Sequence, residues 1–224
     1  MTSDEQSSMR PTPASQLEAL EDAVASYEMD LAMDDQAQEY LAGRGLSEET
    51  VASARLGVVA DPRPGHEGYR GMICIPYIVQ GKVVMVRFRN LSGSGPKYLQ
   101  PKGSISRIYG VDQIHAAGDT ICITEGEFDS LILRQCGLHA IAIPGANAFR
   151  PHHPRMLYGF SRIWVFGDPD AAGAEFNNTV ISRLPRSAKG VNMRGSGDVT
   201  DTYVASGGDP ESILSAIKKE DKKS

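Results

Sequence analysis

Three cysteines in 224 residues, Cys74, Cys122 and Cys136, are too few and too scattered for a disulfide framework. No two of them form a C-x-x-C pair, so no zinc site is expected, and each stands in or beside an apolar run where a buried free thiol fits. Long hydrophobic runs are absent as well. No stretch approaches the roughly 18 consecutive apolar residues of a membrane helix, and residues 1–14 lack the charged-then-apolar pattern of a signal peptide. The expectation is a soluble, cytoplasmic chain with no membrane contact. A G-x-x-x-x-G-K-[ST] loop is missing, which excludes an attached ATP-driven motor built on that motif. Nor is there an excess of positive charge: 23 Lys and Arg against 28 Asp and Glu leave a net charge of −5, unlike a protein that coats nucleic acid by bulk charge. At 41% hydrophobic residues the chain can still bury one full-sized domain and a smaller companion.

The charge is unevenly spread. Residues 1–50 hold twelve acids and two bases, whereas residues 62–110 hold eight bases and a single acid, Glu67. Residues 1–14, rich in Ser, Thr, Pro and charge, read as a disordered lead. Leu17, Leu20, Val24, Tyr27 and Leu31 then recur at helical steps, and a break at Gly43-Arg44-Gly45 precedes a second helix capped by Ser47. From Met72 the pattern turns β-rich, with two runs joined at Gln80-Gly81 as a hairpin. On its second strand Arg87 and Arg89 stand two apart and should share a face. From Thr120 short apolar runs (121–124, 140–143, 162–166, 191–193) alternate with helical patterns (128–136, 174–184, 210–218).

Strand–helix alternation implies a parallel sheet with crossover helices. The expected fold class is therefore α/β (α+β overall), a Rossmann-like parallel sheet with helices on both faces, preceded by a smaller basic helix/strand lobe. The expected boundaries are a lead at 1–14, the basic lobe at 15–115, the α/β domain at 116–218 and a flexible tail at 219–224.

Three acidic clusters each begin where an expected strand ends, the edge at which open α/β sheets bind ligands. They are Glu125-Gly126-Glu127-Phe128-Asp129, Asp168-Pro169-Asp170 and Asp198-Val199-Thr200-Asp201. Taken singly, each also fits a structural role: Glu125 and Asp129 favour a helix N-terminus, Asp168 and Asp170 an ordinary turn, and Asp198 with Asp201 an N-cap and its third residue. Brought to one edge they would repel unless a cation lay between them. Hard oxygen donors with no accompanying His or Cys suit Mg²⁺ or Mn²⁺, which commonly bridge substrate phosphates. On the basic lobe, Arg87, Arg89, Lys97 and Lys102 could hold a nucleic-acid backbone or a triphosphate, with Tyr98 as a stacking surface or a strand anchor.

The pattern Glu125-Gly126-x-x-Asp129 after one strand and Asp168-x-Asp170-x-x-Gly173 after another resembles the Toprim signature shared by DnaG-type primases, type IA and type II topoisomerases, OLD-family nucleases and RecR-like repair proteins. The resemblance implies Glu125 as general acid or base, Asp168 and Asp170 as catalytic metal ligands, and Glu125, Asp129, Asp198 and Asp201 as further metal ligands. Asp129 matches the acid that ends the first motif, and Asp198 and Asp201 are similar to a third acidic cluster of primases. Upstream, Tyr40-Leu41-x-x-Arg44-Gly45-Leu46-Ser47-x-Glu49-Thr50, ending in Arg55-Leu56-Gly57, is similar to the start of the bacterial primase core. Ile75-Pro76-Tyr77, the run Val86-Arg87-Phe88-Arg89-Asn90 and Pro96-Lys97-Tyr98-Leu99 resemble its basic lobe, which puts Asn90 among the residues facing nucleic acid or nucleotide.

The resemblance spans residues 38–218 and implies a compact, phage-like primase without zinc-binding or helicase domains. It implies synthesis of short RNA primers on single-stranded DNA from ribonucleoside triphosphates by two-metal nucleotidyl transfer, with Mg²⁺ or Mn²⁺ as cofactor and no zinc. Implied partners are the single-stranded DNA template, a replicative helicase and a separate zinc-binding primase subunit; the place of action is the host cytoplasm if a phage encodes the chain. A Toprim metal-dependent nuclease and a non-catalytic single-strand-binding accessory protein are the rival readings.

Overall fold

The computed structural model describes residues 12–193 and 197–222. It contains two compact units, Met1–Ala42 with Ser47–Arg107, and Gly43–Leu46 with Ile108–Ser224. Most of the lead expected to be disordered, residues 1–11, lies outside the described residues.

In the first unit helix α1 (Ala14–Ala32) starts directly after Pro13, whose carbonyl accepts from the N–H groups of Gln16 and Leu17. Helices α2 (Asp35–Gly43) and α3 (Glu48–Ser53) follow, α3 capped as expected by Ser47, whose side chain accepts from Thr50 N at 3.2 Å. The antiparallel sheet runs β1 (Gly57–Val58), β2 (Ile73–Val79), β3 (Lys82–Arg89), β4 (Tyr98–Leu99) in that order. Gln80 and Gly81 both have positive φ, 50° and 75°, the two-residue turn whose twist matches a hairpin.

The β2–β3 register slips between Tyr77 and Ile78, so Tyr77 opposes Met85 and Ile78 opposes Val83. This bulge switches the parity of β3. Val83, Val86 and Phe88 thereby share one core with Leu20, Ala23, Val24 and Tyr27 of α1, while Arg87 and Arg89 fall on the opposite face. Arg55, in left-handed conformation (φ 54°) just past α3, ties the start of β1 to α1 through Glu21 at 2.5 Å and Glu28 at 2.8 Å.

The second unit is a parallel sheet of order β6-β5-β7-β8, made from β5 (Thr120–Thr124), β6 (Ala140–Ala142), β7 (Arg162–Phe166) and β8 (Ala188–Gly190). Its helices are α4 (Gln113–Ala116), α5 (Glu127–Gln135), α6 (His153–Leu157), α7 (Ala171–Arg183), α8 (Val199–Ala205) and α9 (Glu211–Asp221). Alternation sorts the strands into two faces. Ile121, Ile123, Ile141, Ile163 and Val165 pack with Phe176 and Val180 of α7 and Leu157 of α6. Helix α5 packs on β5 and β6 with Phe128, Leu131 and Ile132 buried outside that cluster, and α8 and α9 continue its layer.

Several features differ from the sequence expectation, among them the short helices α4 and α6, which fall outside the expected helical patterns. The last strand is 188–190 rather than 191–193, although Val191 N still donates to Val165 O at 2.8 Å; Ala188-Lys189-Gly190 has little β-propensity and owes its strand to pairing with β7. The second unit takes in Gly43–Leu46 and its long segment starts at Ile108, ahead of residue 116; Ile108 enters its core and Tyr109 bridges to Ala142. Helix α9 continues to Asp221, past residue 218 where the tail was expected. No helix among the described residues is long and apolar enough to cross a membrane.

Candidate metal centre

Strands β5 and β7 are neighbours in parallel, and their last residues, Thr124 and Phe166, are paired. Their carboxyl ends are therefore level, and the chain leaves both at one edge, towards Glu125 on one side and Asp168 on the other. Asp129 sits in the first turn of α5 and is buried; Asp198 is the N-cap of α8. Carboxylate oxygens of Asp129, Asp168 and Asp198 lie within 4.8 Å of one another, the one such group among the described residues.

Close backbone packing makes this possible. A Cβ on Gly173 would lie 2.0 Å from the carbonyl oxygen and 2.3 Å from the nitrogen of Asp168, so the first turn of α7 can rest against Asp168 only because residue 173 is glycine. Beside it, Asp170 caps α7, accepting from Gly173 N at 2.8 Å, and is exposed. Asp198 likewise caps α8, accepting from Asp201 N at 2.7 Å.

Asp129 is fixed through one oxygen, Oδ1, which accepts from Thr200 N at 2.9 Å and Thr200 Oγ1 at 2.7 Å. Burial, and after it the charges of Asp198 and Asp168, push the Asp129 carboxyl up to about 7, and the Thr200 donors only partly offset this. A buried carboxyl raised by two acidic neighbours is what a divalent cation bound among them would relieve. The donor set, oxygen only, fits Mg²⁺ or Mn²⁺.

The other expected ligands lie outside this group of three. Glu125 is half-buried at the end of β5, with Oε1 3.8 Å from where a Cβ on Gly145 would stand. Asp170 spends one oxygen as a cap and is exposed. Asp201, with its side chain 54% exposed, pairs with Arg44 at 3.3 Å, and the same guanidinium lies 3.8 Å from Asp198. Neither Arg44 nor Thr200 was singled out from the sequence as part of the centre. Arg44 does belong to the Arg44-Gly45-Leu46 motif, the one signal that could have pointed to it.

In the first unit, the pairing of Arg89 with Tyr98 across β3 and β4 places both on one face. The Arg87 and Arg89 guanidinium carbons stand 4.6 and 5.1 Å from the centre of the Tyr98 ring, and Lys97 Nζ 5.9 Å from it. Arg89 is nevertheless 7% exposed: it donates through Nε to the Tyr40 hydroxyl and through Nη1 to the Tyr98 hydroxyl at 2.5 Å. Its first task is thus to join α2 to the sheet, which leaves the half-buried Arg87 and exposed Lys97 as the accessible cations. Asn90 shapes the following loop, donating to Ser94 O at 2.6 Å and accepting from Ser92 N at 2.9 Å. Lys102 is exposed and, with Arg63 and Arg107, lines a groove of about 1020 Å³ beside α1.

No protein-family model matches the sequence. The gene 57 protein of Mycobacterium phage D29 is 30% identical over 146 residues, 63% of this chain and 95% of that protein. The DNA primase of Deinococcus radiodurans is 26% identical over 223 residues, covering 80% of this chain but 37% of the primase. The chain thus spans well under half the length of that cellular primase. Among solved structures, the RNA polymerase domain of Mycobacterium tuberculosis primase DnaG, in complex with a double-stranded DNA oligomer with a 6-nucleotide overhang, superposes with a TM-score of 0.75 at 18% identity, covering 93% of this chain and 81% of that one. The chain belongs to the family of the phage D29 gene 57 protein and is homologous to the catalytic core of DnaG-type DNA primases.

Proposed function

We propose that the chain is a primase core, a nucleotidyltransferase that joins ribonucleoside triphosphates into short RNA on a single-stranded DNA template. The observation that carries this reading is the convergence of Asp129, Asp168 and Asp198, from three separate segments, within 4.8 Å at the carboxyl edge of the sheet. These three residues would hold Mg²⁺ or Mn²⁺. A bound divalent cation supplies charge neutralisation at the triphosphate and activation of the attacking hydroxyl oxygen.

The chain's own residues do the rest. Thr200 fixes the orientation of Asp129. Gly173 lets Asp168 approach α7, and Glu125, leaving the same sheet edge, assists proton transfer from the attacking hydroxyl. Arg87 and Lys97, gathered around Tyr98, bind phosphates of template or nucleotide, and Tyr98 offers an aromatic surface for a base. Most of the rate enhancement then comes from positioning and charge. A replicative helicase and a zinc-binding primase subunit are the partners this reading calls for.

The test is a primer-synthesis assay with labelled ATP and GTP on mixed-sequence single-stranded DNA with Mg²⁺ or Mn²⁺. Short RNAs that vanish in Asp168→Asn support the proposal, and undiminished product in that variant refutes the metal assignment. Mg²⁺-dependent degradation of DNA without added nucleotides would instead establish a nuclease.

A further inference from the structure

The carboxylate group of the second unit has a resident cation of its own. Arg44 comes from the segment Gly43–Leu46, about 150 residues from the acids it meets, and clusters with the second unit. Its backbone is anchored there: Gln135 Nε2 donates to Gly45 O at 2.9 Å and lies 3.0 Å from the Tyr203 hydroxyl. The guanidinium contacts Asp201 at 3.3 Å through Nη1 and Asp198 at 3.8 Å through Nη2.

The two partners differ. Asp201 belongs to no metal-competent group among the described residues and its side chain is 54% exposed, whereas Asp198 is 16% exposed and shares the group with Asp129 and Asp168. The contact to Asp198 is also longer than a hydrogen bond. It is an attraction of charges across a gap, not a bidentate lock, and so can yield to a stronger cation.

We infer that Arg44 is the counter-charge of this centre: Asp201 holds its guanidinium beside Asp198, where it competes with the divalent cation for that carboxylate and sets how tightly the cation binds. The inference rests on the proposal that Asp129, Asp168 and Asp198 hold a metal ion. Without a divalent cation Arg44 moderates the repulsion of three clustered acids; when one arrives, like charges meet and Arg44 turns towards Asp201. Asp201 is thereby a positioning residue for Arg44 and not a ligand.

Binding of Mn²⁺ to the full chain, followed by the loss of the free-ion electron paramagnetic resonance signal, tests this without recourse to activity. Arg44→Gln should bind Mn²⁺ up to about fivefold more tightly than wild type, the scale of a partly exposed ion pair, with the gain shrinking at high salt. Arg44→Lys, which keeps the charge, should stay near wild type. Asp201→Asn should bind more weakly, because Arg44 is left with Asp198 alone, and should have no effect in the Arg44→Gln background.

Unchanged or weaker Mn²⁺ binding in Arg44→Gln overturns the inference while leaving the metal centre standing. An Asp201→Asn loss of equal size in both backgrounds makes Asp201 a ligand and overturns its holding role. A wild type that binds no Mn²⁺ overturns the metal centre and the inference with it. Thermal midpoints in EDTA, lower for Arg44→Gln than for Arg44→Lys, and a gap that closes on adding Mn²⁺, would show that the charge and not the packing of residue 44 is at work.

Discussion

Asp129→Asn should make the metal-free protein more stable at pH 8, the reverse of the usual outcome for a buried hydrogen-bonded residue. Burial, with Asp198 and Asp168 adding to it, pushes this carboxyl up to about 7, whereas the unfolded chain releases the same proton near 4. Between those values the folded state binds more protons than the unfolded one, so its stability falls as pH rises through the window and the loss is complete above about pH 7. About three pH units at 1.36 kcal/mol each make the loss about 4 kcal/mol. Asparagine keeps an Oδ1 that can accept from Thr200 N and Oγ1 and removes the charge. Urea unfolding in EDTA at pH 5 and pH 8 is the assay. Wild type should lose stability between the two, and Asp129→Asn should lose much less and exceed wild type at pH 8. Saturating Mg²⁺ should raise wild type by mass action and leave the variant nearly unmoved. Equal stability of the two proteins in EDTA at pH 8 would refute the electrostatic account of the centre.

Gly173→Ala would bring a Cβ within 2.0 Å of backbone that cannot swing aside, so α7 or Asp168 must shift; a loss above about 2 kcal/mol, read as a lower thermal midpoint, should accompany weakened Mn²⁺ binding. Two arginines on one strand face should behave differently. Arg87→Ala should weaken single-stranded DNA binding and flatten its salt dependence by about one phosphate contact while changing stability by roughly 0.5 kcal/mol or less. Arg89→Ala should destabilise the first unit by about 2 kcal/mol or more, because it removes a buried side chain that bonds both the Tyr40 and Tyr98 hydroxyls; comparison of urea midpoints with filter-binding salt titrations separates the two effects.

The sequence carried the second unit in outline because three of its β-rich runs stop abruptly at a glycine, Gly126, Gly145 and Gly167, and alternating Ile121, Ile123, Ile163 and Val165 mark the buried face. The Gln80-Gly81 hairpin was readable for a similar local reason, as a turn that tolerates two positive φ angles. Pairing partners were not readable: Ala188-Lys189-Gly190 becomes a strand through its neighbour, and Arg89 becomes a buried tie only when Tyr40 and Tyr98 close over it. Arg44 lies farther still from pattern reading, since nothing periodic links residue 44 to residues 198 and 201.

The acids show most clearly where local inference stops. Asp170 and Asp198 have the same local signature, an acid just before a helix whose third residue on donates back to it, and both are caps, at 2.8 and 2.7 Å. A cap consumes one carboxylate oxygen and leaves the other. At Asp198 that second oxygen faces Arg44 and the residue shares a group with Asp129 and Asp168; at Asp170 the carboxylate faces solvent, outside the group of three. The structural and functional readings of such a residue are therefore not rivals. Capping fixes the carboxylate's direction at the expense of one oxygen, and whether the other meets a cation depends on the neighbouring strand end, which no single helix signal encodes.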